Sequence, residues 1–540
     1  MRLRVKIISG ILLLFIYFPS FTQNFSHSDS VRGQLNSLRS CYDVKFYDLN
    51  LKIDLLQKKI LGSNMIRYTT VEDFDKMQVD LFAGMYIHRV MHHGISISFK
   101  RDSNAVYIQF ASTQQKGKED SITIYYSGSP HIAANPPWDG GIVWSKDSLG
   151  RPWAAVACEA IGASVWWPCK DHLSDEPDSM SMSFIVPEGL SCISNGNLTG
   201  VFTIPGKSIY SWMVHYPINN YNVTFYIGHY SHFNDSLKNK EGKTLGLDYY
   251  VLDYNLSKAK KHFDIVKPML LCYENLFGPY PFYRDGYALV EAPYWGMEHQ
   301  GAIAYGNHFK TDMPGLDYII VHESAHEWWG NSLSVADHGE MWIHEAFATY
   351  SEALVIERLH NYNTSLQYLA DQKLNIKNQE PILGPLHVNY HGWKDADMYY
   401  KGTWILHTLR NVIGNDSLWF NILHGLTTDF RLSIVNSEMI VNYINKKTGA
   451  DFHYFFNQYL KYPKPPRFVY QIKKKGRKTL LLYKWEAEVK DFRMPYMLLV
   501  NNSDLIKINP TTVFQTLTYH DKIKDLEFPE ELFYVGILRK

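Results

Sequence analysis

Two histidines separated by three residues constrain the fold of this 540-residue chain more than any other feature of its sequence. His322 and His326 belong to the segment His-Glu-Ser-Ala-His, and on a helix they lie on one face. Both imidazoles can then reach a single metal ion at about 2.0–2.1 Å. Glu323 lies about 100° away around the helix, where it can contact a water molecule and act as a general base. Such a pentapeptide occurs by chance in roughly one chain of this size in twenty, so by itself it does not establish a metal site.

A second predicted helix supplies a further ligand. Glu345 comes nineteen positions after His326, within the segment Trp342–Tyr350. Two antiparallel helices joined by a short loop can bring it to the same ion, and two histidines with one glutamate leave a coordination position open, as in catalytic zinc sites. We therefore predict one Zn²⁺ per chain, held by His322, His326 and Glu345, with a metal-activated water as its nucleophile. Glu352, seven residues beyond Glu345, is expected either to orient a ligand histidine or to face solvent.

Hydrophobic periodicity divides the chain into a β-rich part, a helical part and a second β-rich part. Alternating apolar residues, such as those in Leu49–Ile53, indicate strands from Asp43 to about residue 230, and helix-period segments follow to about residue 460. Consecutive prolines in Tyr462–Pro466 predict an extended linker, after which short strands resume. The predicted fold class is multidomain α+β, with domains at residues 24–235, 236–462 and 463–540.

The balance of charge argues against a general nucleic-acid binder. Lysine and arginine total 54 and aspartate and glutamate total 54, so the formal net charge is zero. Affinity for nucleic acid depends largely on an excess of lysine and arginine. We therefore expect no nucleic-acid partner.

The N-terminus has the layout of a secretory signal peptide. Three basic residues within Met1–Lys6 precede the apolar run Ile7–Phe18, and a short polar exit ends near Gln23. We expect a signal peptide over residues 1–23, its cleavage, and a secreted or periplasmic product; an uncleaved membrane anchor is the alternative. No later segment has 18 uninterrupted apolar residues, so no stable membrane span is expected after cleavage.

Together these motifs resemble the M1 family of zinc aminopeptidases, the gluzincin group that includes aminopeptidase N and leukotriene A4 hydrolase. The spacing from His326 to Glu345 fits the family pattern H-E-x-x-H, eighteen residues, then E. The family's G-x-M-E-N segment is similar to Trp295–His299, with tryptophan at its first position and histidine at its last. The resemblance implies that Glu298 binds the free α-amine of the substrate and that Gly296 and Met297 line its binding site.

Two further segments resemble parts of the same family. Ala157–Ala160 is similar to the segment that supplies a second amine-binding residue, which would be Glu159. Tyr399–Gly402 is similar to the family's Y-E-K-G segment, whose tyrosine stabilises the tetrahedral intermediate; Tyr399 matches it, although the adjacent Tyr400 leaves a shift of one residue open. The resemblance implies an N-terminal antiparallel β saddle, a thermolysin-like catalytic domain and a small C-terminal β domain. It also implies a short form without the large helical C-terminal domain of many relatives.

These features predict a zinc aminopeptidase that removes N-terminal residues from peptides with a free N-terminus, with Glu323 and Tyr399 as catalytic residues. Two alternatives remain open at this point. One is a lipid-epoxide hydrolase, which shares the family's zinc centre, and the other is a catalytically silent pseudopeptidase that binds peptides. Zinc content, aminopeptidase turnover and lipid-epoxide turnover would distinguish the three.

Overall fold

The computed structural model describes residues 25–390, 392–476 and 478–540. The predicted signal peptide, residues 1–23, lies outside these residues. Within them, none of the helices has the length and apolar character that crossing a membrane would require.

The first part of the chain is built from three β-sheets. Its largest sheet has eight strands, in the spatial order Asn197–Ile204, Lys207–Val214, Ser179–Pro187, Tyr42–Asp54, Lys59–Thr70, Glu119–Gly128, Met85–His92 and Ile95–Ile97. Two smaller sheets contain Ser191–Ser194, Phe225–Gly228, Pro152–Ala157 and Gly141–Lys146, and Phe74–Asp80, Ala105–Gln114 and Phe99–Asp102. Adjacent strands pair mainly antiparallel, but Tyr42–Asp54 pairs in parallel with Ser179–Pro187. The long connection between these two strands permits the parallel pairing.

A mixed five-stranded sheet leads into the helical part. Its strands, in spatial order, are Tyr230–Lys238, Thr244–Leu252, Tyr287–Glu291, Ile303–Tyr305 and Gly296–Met297. The predicted domain boundary between residues 235 and 236 falls inside the first of these strands, and the domain limits stay predictions. A two-stranded parallel sheet joins Leu333–Val335 to Ser433–Val435.

The described helices concentrate in the second half of the chain. The α-helices are His27–Gly33, Ser37–Ser40, Leu256–His262, Val266–Phe277, Tyr318–Ala325, Trp342–Leu359, Tyr362–Lys373, Asp397–Ile413, Asp416–Asp429, Ser437–Thr448 and His453–Lys461. Short 3₁₀ turns occur at Ala163–Val165, Asn220–Asn222, Asp253–Asn255, Phe263–Ile265 and His338–Glu340.

Three of these helices carry side chains predicted for the metal centre and active site, and we name each helix after those residues. The motif helix is Tyr318–Ala325, the glutamate helix is Trp342–Leu359, and the tyrosine helix is Asp397–Ile413. The glutamate helix packs against both of the others. Gly402 makes this close approach possible, because a Cβ there would lie 2.5 Å from the Cβ of Ala346.

The motif helix is shorter than its hydrophobic pattern predicts. The Asp317 side chain accepts hydrogen bonds from the backbone N–H groups of Ile319 and Ile320 and caps its N-terminus. The hydrophobic pattern of Leu316–Trp329 predicts a helix that continues to Trp329, but the helix ends at Ala325. The next residues form a tighter turn, in which the N–H of Trp328 donates to the carbonyl of Ala325 at 3.1 Å. This turn directs the carbonyl of Trp329 back towards the metal-binding motif.

The C-terminal part returns to β structure. One sheet contains Gln515–Tyr519, Lys478–Glu486, Arg467–Lys475 and Gly536–Arg539, and the other contains Asp504–Ile508, Tyr496–Val500 and Leu526–Glu527. The proline-rich connection to these sheets is tied to the tyrosine helix. The ammonium of Lys401 donates to the backbone carbonyls of Tyr462 at 2.9 Å and Pro463 at 2.7 Å.

Candidate metal centre and active site

Three side chains converge in an arrangement that could hold a metal ion, and we call them the metal-binding set. The Nε2 atoms of His322 and His326 are 3.2 Å apart, and they lie 3.5 and 3.6 Å from Oε2 of Glu345. All three residues are buried. Among the described residues, Oε2 of Glu345 has no hydrogen-bond partner. Two imidazole nitrogens and an unpartnered carboxylate oxygen around one point fit a zinc ion with an open fourth position.

The other imidazole nitrogens have their own partners. Nδ1 of His322 lies 2.7 Å from Oε1 of Glu352, and Nδ1 of His326 lies 2.8 Å from the carbonyl oxygen of Trp329. Both oxygens can only accept, so each Nδ1 carries the proton and each Nε2 keeps its lone pair for a ligand. Glu352 is therefore buried against His322 rather than facing solvent.

Two donors hold Glu352 from its other side. The Tyr368 hydroxyl and the Nε2 amide of Gln372 donate to its Oε2 at 2.6 and 2.8 Å. These two residues lie on the helix Tyr362–Lys373, and neither belongs to a recognisable motif. Sequence reasoning missed them because an isolated tyrosine and glutamine carry no local signal of metal binding.

Burial and the neighbouring charges have opposing effects on the pKa values of the glutamates in this cluster. Burial by itself raises the pKa of Glu345, but the attraction of His326, reinforced by His322, outweighs it and holds that pKa well below its usual range. Burial raises the pKa of Glu323 to about 8; His322 and His326 oppose this increase, whereas Glu298 and Glu345 reinforce it. Glu323 does not belong to the converging ligand set, so its carboxyl group is free to serve another role.

The strand Gly296–Met297 packs directly onto Glu323. A Cβ at Gly296 would lie 2.4 Å from Oε1 of Glu323, so a larger residue at this position would displace the Glu323 carboxylate. Met297 is buried, and it lines a cavity that Glu323 also lines. Glu298 follows the end of the strand directly and is also buried.

A second group of carboxylates lies beside the metal-binding set. Oxygen atoms of Glu159, Glu298 and Glu345 all lie within 4.8 Å of one another. Burial, reinforced by Glu298 and Glu345, raises the pKa of Glu159 well above its usual value. Burial also raises the pKa of Glu298, although the attraction of His326 opposes the change. Clustered, desolvated carboxylates favour a bound cation, which would relieve their mutual repulsion.

Tyr221 fixes Glu298 and is a further residue that sequence reasoning gave no role. Its hydroxyl donates to Oε1 of Glu298 at 3.0 Å, and the side-chain amide of Asn331 donates to the backbone carbonyl of Glu298 at 2.8 Å. Tyr221 comes 77 positions before Glu298. Only the packing of the N-terminal part onto the helical part brings the two together.

The tyrosine helix completes the cavity. The ring of Tyr399 lies 6.1 Å from that of His322, and both Tyr399 and Tyr400 line the cavity. Burial, together with the charges of Glu345 and Glu159, raises the pKa of Tyr399 well above its usual value, so its hydroxyl stays protonated. A protonated phenol can donate a hydrogen bond to developing negative charge.

All of the residues predicted for the site border a single cavity or support it. The cavity has a volume of about 420 Å³, and its lining includes Glu159, Gly296, Met297, Glu298, His322, Glu323, His326, Glu345 and Tyr399. Glu352 lies behind His322. The cavity also has aromatic walls, formed by Trp138, Trp295, Tyr318, Tyr390 and Trp393.

Parts of the chain are similar in sequence to known peptidases. Residues 261–459 match the model of the peptidase family M1 domain. Aminopeptidase B of Mus musculus is 22% identical over 336 residues, which cover 58% of this chain and 50% of the relative. Leucyl aminopeptidase of Saccharolobus solfataricus is 22% identical over 312 residues, covering 54% of this chain and 39% of the relative. The chain thus spans half or less of the length of these two curated relatives.

Solved structures extend the likeness to the N-terminal part. An M1 zinc metallopeptidase from Deinococcus radiodurans, bound to a Tyr-Ser-Ala substrate, superposes with a TM-score of 0.66 at 20% identity. The match covers 78% of this chain and 94% of that chain. It supports the predicted multidomain α+β architecture, with a β-rich N-terminal part followed by a helical catalytic part. Residues 261–459 therefore resemble the domain of peptidase family M1 in sequence, and the likeness to the solved structures extends to the fold.

Proposed function

We propose that this protein is a zinc aminopeptidase that removes N-terminal residues from peptides with a free N-terminus. One observation carries the proposal: the metal-binding set and a cluster of three carboxylates, two of them buried and that of Glu159 half-buried, share one cavity and meet at Glu345. A metal-binding set alone fits any metallopeptidase, whereas an adjacent anionic pocket is suited to a protonated chain terminus.

The carboxylates of Glu298 and Glu159 account for the restriction to a free N-terminus. Glu298 and Glu159 would bind the α-ammonium group, with Glu298 held in place by the hydroxyl of Tyr221. An acetylated terminus would leave these desolvated carboxylates without a cation, which costs binding energy. Glu298 and Glu323 line the same cavity, so a peptide whose amine is held by Glu298 would place its first peptide bond near Glu323.

The chemistry divides between the metal and three side chains. When bound by His322, His326 and Glu345, one zinc ion per chain would supply a Lewis acid that polarises the scissile carbonyl and activates water. Glu323 takes a proton from the attacking water and delivers it to the leaving nitrogen as the C–N bond breaks. Tyr399 donates a hydrogen bond to the developing oxyanion, mainly in the transition state.

Metal analysis combined with a hydrolysis assay tests the proposal. We expect one zinc per purified chain, hydrolysis of leucinamide and of Leu-Ala-amide, loss of both activities with a chelator, and no cleavage of N-acetylated Leu-Ala-amide. Efficient cleavage of the acetylated peptide would contradict the role of Glu298 and Glu159. Zinc binding without any turnover would favour the pseudopeptidase alternative, and turnover of a lipid epoxide alone would favour the epoxide hydrolase.

A further inference from the structure

Three aromatic side chains form a continuous row from the mouth of the cavity to the metal-binding set. The rings of Trp138 and Trp295 are 6.0 Å apart, and the ring of Trp295 stacks on that of Tyr318 at 5.2 Å. Tyr318 in turn stacks on the imidazole of His322 at 5.5 Å. We call Trp138, Trp295 and Tyr318 the aromatic row.

The outer part of this row is unusually exposed. Trp138 is 60% exposed and Trp295 is 41% exposed, although both are large apolar side chains. The indole Nε1 of Trp295 donates to Oδ1 of Asn307 at 3.3 Å, which fixes the orientation of the ring. Ordered, exposed aromatic rings at the mouth of a cavity are typical of surfaces that bind a ligand.

The order of residues along the segment Trp295–Glu298 indicates which side of the bond to be cut the aromatic row occupies. Glu298 lies at the amine end, and Gly296, two residues earlier, contacts the carboxylate of Glu323. Along this segment the order is Glu298, then Gly296 beside Glu323, then Trp295, so Trp295 is farther along the chain from Glu298 than the contact with Glu323 is. Tyr318, which stacks on Trp295, begins the motif helix on the same side.

We propose that the aromatic row is a subsite for the substrate residue that follows the cut bond, and that it selects peptides with an aromatic or large apolar second residue. The inference rests on the proposed function, because it assumes that Glu298 holds the amine. A preformed row pays little conformational entropy when it binds a side chain. Offset or edge-on contact between aromatic rings adds attraction beyond the burial of apolar area.

Paired substrates measure this preference. Leu-Phe-amide and Leu-Ala-amide differ only in their second residue, and leucinamide has no second residue. We expect kcat/KM to be about tenfold higher for Leu-Phe-amide than for Leu-Ala-amide. Trp295→Gly should reduce this ratio to about threefold or less, whereas Trp295→Phe should keep most of it.

The ratio of kcat/KM values between two substrates separates a change in selectivity from a general loss of activity. If Trp295→Gly lowers kcat/KM equally for all three substrates, Trp295 is structural and the proposal is overturned. Tyr86→Ala is the matched control, because Tyr86 is a 66% exposed aromatic on the strand Met85–His92 and does not line the cavity. It should leave the Leu-Phe to Leu-Ala ratio unchanged.

A binding measurement keeps this inference separate from the proposed function. If the protein hydrolyses none of the substrates, the aminopeptidase proposal fails, but the subsite can still be tested by calorimetry on the zinc-loaded Glu323→Gln protein. That protein should bind Leu-Phe-amide about tenfold more tightly than Leu-Ala-amide, and adding Trp295→Gly should remove the difference. Equal affinities in the presence of Trp295 would overturn the subsite.

Discussion

Replacing Glu352 by glutamine should weaken zinc binding, although the two side chains have nearly the same shape. Glu352 accepts from three donors: Nδ1 of His322 at 2.7 Å, the hydroxyl of Tyr368 at 2.6 Å and the amide of Gln372 at 2.8 Å. Glutamine has one oxygen and one NH₂ group, so its NH₂ must face at least one of these donors.

The consequence for the metal depends on where the NH₂ group points. If it faces His322, it favours the tautomer in which Nδ1 accepts and Nε2 carries the proton, and that tautomer cannot bind zinc. If it faces Tyr368 and Gln372, two donors lose their acceptor within a buried site. A hydrogen bond to a charged group contributes about 1.5–3 kcal/mol, and we therefore expect a loss of about 10- to 100-fold in zinc affinity.

Competition with a chromophoric chelator at neutral pH measures this affinity directly. Glu357→Gln is the matched control, because Glu357 lies on the same glutamate helix but pairs with Arg410 at 2.6 Å instead of a metal ligand. Its zinc affinity should stay within about twofold of the unmodified protein, since no contact with a ligand changes. An unchanged affinity for Glu352→Gln, or equal losses for both variants, would refute the role assigned to Glu352.

The remaining predictions concern groups that act on the substrate. Glu323→Gln should keep stoichiometric zinc but lose about 10²–10⁴ in kcat, and substantial residual turnover would contradict its role as general base. Tyr399→Phe should lower kcat by about 10²–10³ with unchanged zinc content, because only the oxyanion donor is removed; a change confined to KM would argue against it. Glu298→Ala should reduce kcat/KM for Leu-Ala-amide by about 100-fold or more, and unchanged kinetics would remove Glu298 from the amine pocket.

The sequence predicts those parts of the site whose residues lie at regular intervals on one helix. His322 and His326 share a face because the helix repeats every 3.6 residues, and Glu345 can be matched to them by the length of one helix, a loop and part of the next. The α+β class follows equally well, because periods of 2 and 3.6 residues separate strands from helices. The end of the motif helix could not be predicted, because the tight turn after Ala325 depends on local hydrogen bonds instead of hydrophobic spacing.

The amino-acid sequence by itself determined that His322 and His326 of the metal-binding set share a direction, since helical geometry places residues four positions apart on one face. Only the tertiary structure decided what surrounds that set. Tyr221 meets Glu298, and Trp138 meets Trp295, across distances of 77 and 157 residues along the chain. No local pattern encodes such contacts, because they arise when separately folded layers pack together and bury surfaces that are remote in sequence.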